Sequence, residues 1–210
     1  MINKKQKFIV AFILILITVS IFIYYKVAIN DTSELAVDLS DIEQMNIGSE
    51  MPRLLYADKN VAVMQGTFGL VVFNINDSIV TNRISFEHLE SYDISMLYAA
   101  VSQDGTTIYI GNDDMNGGLK FTHKYNIKTR EMQIILQEPI NVFNPTRIKT
   151  PGYNEEYDKY FYFQYLISDT IVELGNSFIY LRANLDWSMK SLQLIICQYE
   201  DGTSEIYDVF

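Results

Sequence analysis

The chain has 210 residues, 26 Asp+Glu against 16 Lys+Arg, a net charge of −10 and one cysteine. So acidic a chain repels nucleic acid and anionic lipid, and a lone thiol forms no disulfide within the chain. Tyr (15) and Phe (12) are abundant while Pro is scarce (4), a balance that leans towards strands.

Residues 1–7 are basic through Lys4, Lys5 and Lys7, and residues 8–25, FIVAFILILITVSIFIYY, hold no charge, Pro or Gly. Eighteen residues at the helical rise give about 27 Å, close to the roughly 30 Å hydrocarbon core of a bilayer. No acidic residue precedes Asp31. Because basic residues prefer the cytoplasmic side, the sequence predicts a single-pass anchor in the cell membrane, with a cytoplasmic N-terminus and an extracytoplasmic C-terminal domain. Tyr24 and Tyr25 beside Lys26 read as an interfacial belt with a snorkelling lysine. A cleaved signal peptide is the alternative, but its apolar core is usually about 7 to 15 residues, and cleavage after Ala28 would put Lys26 at the outer recognition position. Lys4, Lys5, Lys7 and Lys26 are the only cations of the first 30 residues, so the remainder carries 12 cations against 26 carboxylates. That charge suits solubility or a basic partner. Cys197, next to Leu194-Ile195-Ile196, reads as a buried inert thiol, and a disulfide-poor exported domain suits a Gram-positive surface.

Residues 26–51 are polar and acidic and read as a stalk. From 52 to 210 the pattern becomes period-two and turn-rich, and it recurs three times. Arg53-Leu54-Leu55-Tyr56, Val61-Ala62-Val63-Met64, residues 69–75 and Ser78-Ile79-Val80-Thr81 form the first unit, with a turn at Asn76-Asp77. Residues 97–101, 107–110, 119–127 and 132–135 form the second, with turns at Gln103-Asp104-Gly105 and Lys128-Thr129. Tyr160-Phe161-Tyr162-Phe163, residues 178–181, 192–199 and 206–209 form the third, with a turn at Glu200-Asp201-Gly202. Asp-Gly accepts the positive φ of tight hairpin turns. The predicted fold is an all-β ectodomain behind one transmembrane helix, of about three four-stranded units. It is a partial β-propeller or a stack of antiparallel meanders, since three blades are too few to close a ring. An antiparallel sandwich is the competing arrangement.

The sequence offers no catalytic constellation. His88 and His123 are far apart, and H-E-x-x-H, G-x-S-x-G, S-x-x-K, S-D-N, K-T-G and phosphate-binding glycine loops are absent. No enzyme, cofactor or metal site is expected. Residues 112–118, NDDMNGG, could offer oxygens to Ca²⁺ but lack the EF-hand spacing and read as a polar inter-strand loop. Residues 153–165, YNEEYDKYFYFQY, have the most unusual composition of the ectodomain. Rigid aromatics beside charges make interface anchors, so Tyr153, Tyr157, Tyr160 and Tyr162, with the sole tryptophan Trp187, are candidate protein contacts. The competing reading is one strand whose Tyr160/Tyr162 and Phe161/Phe163 point to opposite faces.

Val37-Asp38-Leu39-Ser40, residues 48–56 (GSEMPRLLY), Gly69-Leu70-Val71-Val72-Phe73, Val101-Ser102-Gln103-Asp104-Gly105 and the ending Tyr207-Asp208-Val209-Phe210 resemble the β-rich extracytoplasmic segment of clostridial BlaR/MecR-like antirepressor proteins. In that family a membrane-embedded zinc peptidase relays an outside signal to a cytoplasmic repressor. This chain carries none of the peptidase ligands, so the resemblance implies only the outside module. The functional expectation is a membrane-tethered, non-catalytic sensing or protein-docking module, with antirepressor-type signalling as its context. An anchored immunity or inhibitor protein against a toxin or wall enzyme is the alternative.

Overall fold

A computed structural model describes residues 51–86, 97–114, 118–135, 140–149, 156–162, 164–186 and 188–210. The expected anchor (8–25) and the stalk up to residue 50 lie outside the described residues.

The described chain is all-β. The first sheet is β1 (Arg53–Ala57), β2 (Val61–Gly66), β3 (Gly69–Asn74) and β4 (Ile79–Ile84), paired in that order. The second is β5 (Leu97–Val101), β6 (Thr107–Asp114), β7 (Gly118–Asn126) and β8 (Glu131–Ile134), again in chain order. The third contains a short β9 (Thr146–Arg147), then β10 (Tyr165–Leu174), β11 (Ser177–Asn184), β12 (Gln193–Gln198) and β13 (Ser204–Asp208). Pairing within all three is antiparallel throughout. Successive strands joined by tight turns pair with their neighbours because the connections are too short to reach elsewhere.

The layer order differs from the chain order. One face of the first sheet, with Leu54, Met64, Val71 and Phe73, shares a core with Val172, Ile179, Leu181 and Leu194 of the third. Its other face, with Leu55, Val63, Leu70, Val72 and Ile84, shares a core with Leu97, Ala99, Val101, Ile108 and Ile110 of the second. The first sheet is thus the middle layer. Its sequence carries the cause: β3 is an unbroken apolar run, Leu70-Val71-Val72-Phe73, buried on both faces, whereas β8 buries only Met132. Polar contacts fasten the layers. Gln65 imitates a neighbouring strand, its Nε2 donating to Leu97 O at 3.1 Å and its Oε1 accepting from Ala99 N at 3.2 Å. Asn82 Nδ2 donates to Tyr125 Oη at 2.9 Å and Ile127 O at 3.0 Å. Towards the third sheet, Leu54 N donates to Thr170 Oγ1 at 3.0 Å.

The third unit departs from expectation at its first strand. Residues 160–162 form no strand. Tyr160 N donates to Tyr157 O at 2.9 Å and Phe161 N to Asp158 O at 3.3 Å, so the chain turns on itself. Tyr160 and Phe161 then both face the same cluster, which a strand's alternation forbids. The strand is β10 instead. Its centre, Ser168-Asp169-Thr170, is polar, and the register shifts there between Ile167 and Ile171. Ser168 and Thr170 are fully buried because they bond inside this bulge: Ser168 Oγ donates to Thr170 O at 2.8 Å and accepts from Leu181 N at 3.2 Å.

The expected turns are present, and side chains staple them. Asp104 Oδ1 accepts from Ser102 Oγ at 2.6 Å, Thr106 N at 3.2 Å and Thr106 Oγ1 at 2.9 Å. Gly105 beside it has φ +71°, and a Cβ there would strike the Tyr56 ring. The β3–β4 and β7–β8 turns repeat one design. Asn74 Oδ1 accepts from Asp77 N at 3.2 Å, and Asn126 Oδ1 accepts from Lys128 N at 3.0 Å and Thr129 N at 2.9 Å. Each turn ends on a left-handed residue, Ser78 (φ 54°) or Arg130 (φ 60°), where glycine is the unstrained choice.

Two predictions follow from the turns. Left-handed backbone costs a non-glycine residue about 1–2 kcal/mol, and glycine returns roughly 0.5–1 kcal/mol of that as chain entropy. Arg130→Gly should therefore stabilise the fold by up to about 1 kcal/mol, read as a higher urea midpoint, and a lowered midpoint would contradict the turn geometry. The hydrogen bonds from Ser102 and Thr106 hold the Asp104 carboxyl below the usual carboxylate range. Its contribution is complete above the unfolded pKa of about 3.9 and is lost as pH falls through the folded value. The stability advantage of the parent over Asp104→Asn should be larger at pH 7 than at pH 3. An advantage independent of pH would remove the carboxylate from this role.

Candidate functional site

The second and third sheets each turn one face away from the middle layer. On the second, Phe121 lies against Tyr98 (ring centroids 6.2 Å) and Tyr109 (5.9 Å). Arg53 of β1 reaches both outer sheets, with its guanidinium 5.8 Å from the Tyr98 ring centroid and its Nε 3.9 Å from Asp169 Oδ1. Between the first and third sheets an open groove of about 530 Å³ is lined by Lys59, Ile75, Ser78, Leu174, Ile196 and Tyr207 among others.

The outer face of the third sheet brings together the most chemistry. Alternation sends Ile167, Phe178, Tyr180, Ile195 and Cys197 to this side. The turns at 157–161 lay Tyr157, Tyr160 and Phe161 over it. Phe178 is the hub, fully buried, with centroid distances of 5.4 Å to Tyr157, 5.2 Å to Tyr160, 5.0 Å to Tyr199 and 5.6 Å to Tyr180. The phenols inside this cluster find partners. Tyr157 Oη donates to Glu173 Oε1 at 2.8 Å, and Tyr160 Oη donates to Tyr199 O at 3.0 Å. Burial pushes Tyr180 up to about 12, and raises Tyr157, Tyr199 and the Cys197 thiol as well. These groups stay neutral near pH 7, so the cluster holds neither a thiolate nor a phenolate.

Beyond the covered part, the same face carries a polar row. The register sets Ile167 opposite Arg182, Arg182 opposite Gln193, and Gln193 opposite Asp208. Arg182 Nε donates to Gln193 Oε1 at 2.8 Å, and Gln193 Nε2 donates to Asp208 Oδ1 at 2.8 Å. The Arg182 guanidinium lies over the Tyr165 ring, 4.5 Å from its centroid. Tyr162, whose carbonyl accepts from Tyr165 N at 3.0 Å, is 65% exposed.

The candidate contacts thus fall into different settings. Tyr157 is buried and hydrogen-bonded in the cluster, Tyr160 is half-buried with the Lys159 ammonium 4.7 Å from its ring centroid, and Tyr162 faces solvent. Tyr153 and Trp187 lie outside the described residues, as does His88. His123 is half-buried in β7, its Nδ1 2.9 Å from Thr122 Oγ1, and burial lowers its pKa. Of the suggested calcium loop, Asn112, Asp113 and Asp114 belong to β6, and Met115, Asn116 and Gly117 are outside the described residues. Among the described residues no three His, Cys, Asp or Glu side chains converge as metal ligands do. Sequence reasoning missed Arg182, Gln193 and Asp208. They lie on three different strands, Gln193 opening β12 and Asp208 closing β13, and only the register reveals that they are neighbours.

No family model, curated protein or solved structure matches the chain.

The two aromatic settings should respond differently to truncation. Phe178→Ala removes a fully buried ring from the hub and should cost about 3–5 kcal/mol. Tyr162→Ala should stay within about 0.5 kcal/mol of the parent. Denaturant titration of both variants checks the contrast, and equal losses would place Tyr162 in the core.

Proposed function

We propose that the chain is a membrane-tethered, non-catalytic module that senses or docks a partner outside the cell membrane. The observation that carries this reading is the uncharged apolar run at 8–25 with lysines on both sides and an acidic β-domain after it. An exposed face with rigid aromatics and fixed polar groups supports recognition rather than chemistry. The antirepressor-like turn and strand patterns support a signalling context, with a separately encoded membrane peptidase as the downstream element.

Within this reading the ectodomain is an incomplete propeller. Three meanders in succession support it, as does the position of β1, which lies against β5, β10 and β11. The residues at 157–161 cover the outer face of the third sheet, where a following blade would stack. A stack of meanders with the first sheet as its centre is the plainer description of the same packing.

The test is topology combined with site-directed crosslinking. Protease added to intact cells should remove a C-terminal tag and leave an N-terminal tag protected, with the anchor retained in alkali-washed membranes. A photo-crosslinker at position 162 should give a defined adduct that one at Ile79, exposed on the first sheet, does not give. A protected C-terminus would refute the extracytoplasmic placement. Identical adducts from both positions would refute a specific docking face. Protection of cells against a co-expressed toxin would favour the immunity reading instead.

A further inference from the structure

We propose that the Arg182–Gln193–Asp208 row, with Tyr162 and Tyr165, is a binding face for a neutral saccharide. It rests on the sensing arm of the function proposed above and names the ligand class.

Three observations converge. First, the row occupies directly opposed positions on β11, β12 and β13, so its members sit one strand spacing apart, about 4.8 Å, on one face. Two hydrogen bonds of 2.8 Å hold these planar groups in fixed orientations before any ligand arrives. Second, the row has capacity left over. A guanidinium has five donors, and Arg182 commits Nε to Gln193 and one more contact to the Tyr180 phenol; a carboxylate has about four acceptor sites, and Asp208 is exposed. Donors and acceptors side by side are what vicinal hydroxyls require, since each hydroxyl both gives and takes a hydrogen bond. Third, flat rings border the row: Tyr165 is stacked by Arg182, and Tyr162, whose carbonyl accepts from Tyr165 N at 3.0 Å, is 65% exposed. A sugar ring presents apolar C–H faces that pack on such rings while its hydroxyls meet the polar groups.

Charge selects the neutral class. The guanidinium and the carboxylate of the row compensate each other through Gln193, leaving no surplus cation for an anionic polymer. The chain as a whole, at −10, repels one. The rival occupant is a basic extended peptide pairing with the open edge of β13. Val209 N donates to Leu192 O and Gln198 N to Thr203 O, so the alternation turns the backbone of Ser204, Ile206 and Asp208 outward. That rival would use the backbone edge and would leave Tyr162 and Arg182 untouched.

The experiment is an NMR titration of the full chain in a zwitterionic, sugar-free detergent. The probes are chitotetraose and cellotetraose, with polygalacturonate as the anionic control and an alternating Lys-Val octapeptide as the rival. A neutral tetrasaccharide should shift the Arg182 Nε–H and Gln193 side-chain signals. Tyr162→Ala should weaken that binding at least about fivefold, as expected for one lost aromatic contact, while Tyr162→Phe retains it. Co-sedimentation with insoluble chitin, set against binding of the soluble tetrasaccharide, tells a polymer ligand from a free one, and either result supports the class. The proposal is overturned if neither neutral probe shifts these signals, if polygalacturonate binds as well, or if Tyr162→Ala binds like the parent. It is also overturned if the octapeptide alone binds and protects the Ser204, Ile206 and Asp208 amides. The topology experiment does not depend on any of these outcomes, so loss of the saccharide would leave the tethered module standing.

Discussion

A sheet that is apolar on both faces has to be covered on both faces, and the described fold answers to that requirement. Val71 and Phe73 look one way, Leu70 and Val72 the other, and all four are buried to within about 1%. A meander of four short strands cannot shield itself, so the first sheet recruits one partner per side. The two outer sheets then need only one apolar face each towards it. Their remaining faces are released for aromatic and polar residues, which is where every candidate recognition surface sits except the groove between the first and third sheets.

Polar groups are admitted to this interior only where the backbone gives them work. Ser168 and Thr170 sit inside a bulge, where their hydroxyls take up the amides of Leu181 and Leu54 and the carbonyl of Thr170. Gln65 and Asn82 lie at sheet boundaries and replace missing strand partners with side-chain amides. A hydrogen-bonded amide costs little where it is withdrawn from water, and it also fixes how one sheet sits against the next. Apolar contact supplies most of the cohesion between the layers, and these few bonds supply their alignment.

The sequence made some of this legible and hid the rest for identifiable reasons. Turn chemistry is local, so Gln103-Asp104-Gly105, Glu200-Asp201-Gly202 and the paired Asn74 and Asn126 turns mark the hairpins, and with them the three units. Layer order is not local. It follows from which sheet is apolar on both faces, a clue present in Leu70-Val71-Val72-Phe73 but overshadowed by the sequential repeat. β10 was concealed by Ser168-Asp169-Thr170, and the alternating rings of 160–163 offered a more convincing strand that the turns at 157–161 replace. The row at Arg182, Gln193 and Asp208 depends on a register that no single segment encodes. Tyr157 and Tyr162 show the limit of composition: the same residue type in one run serves as core at one position and surface at the other.

The middle position of the first sheet has a consequence for the order in which the molecule is made. Synthesis runs from the N-terminus, so β1 to β4 exist before either of their covers. The second sheet follows directly and closes one side. The other side waits for β10 to β13, and its core includes Val209, with Phe210 packed on Phe68 at a centroid distance of 5.8 Å. One face of the central sheet therefore stays greasy and unshielded until β10 to β13 and Val209 have been made. A nascent chain in that state depends on a chaperone, or on rapid completion, to avoid pairing with a neighbour.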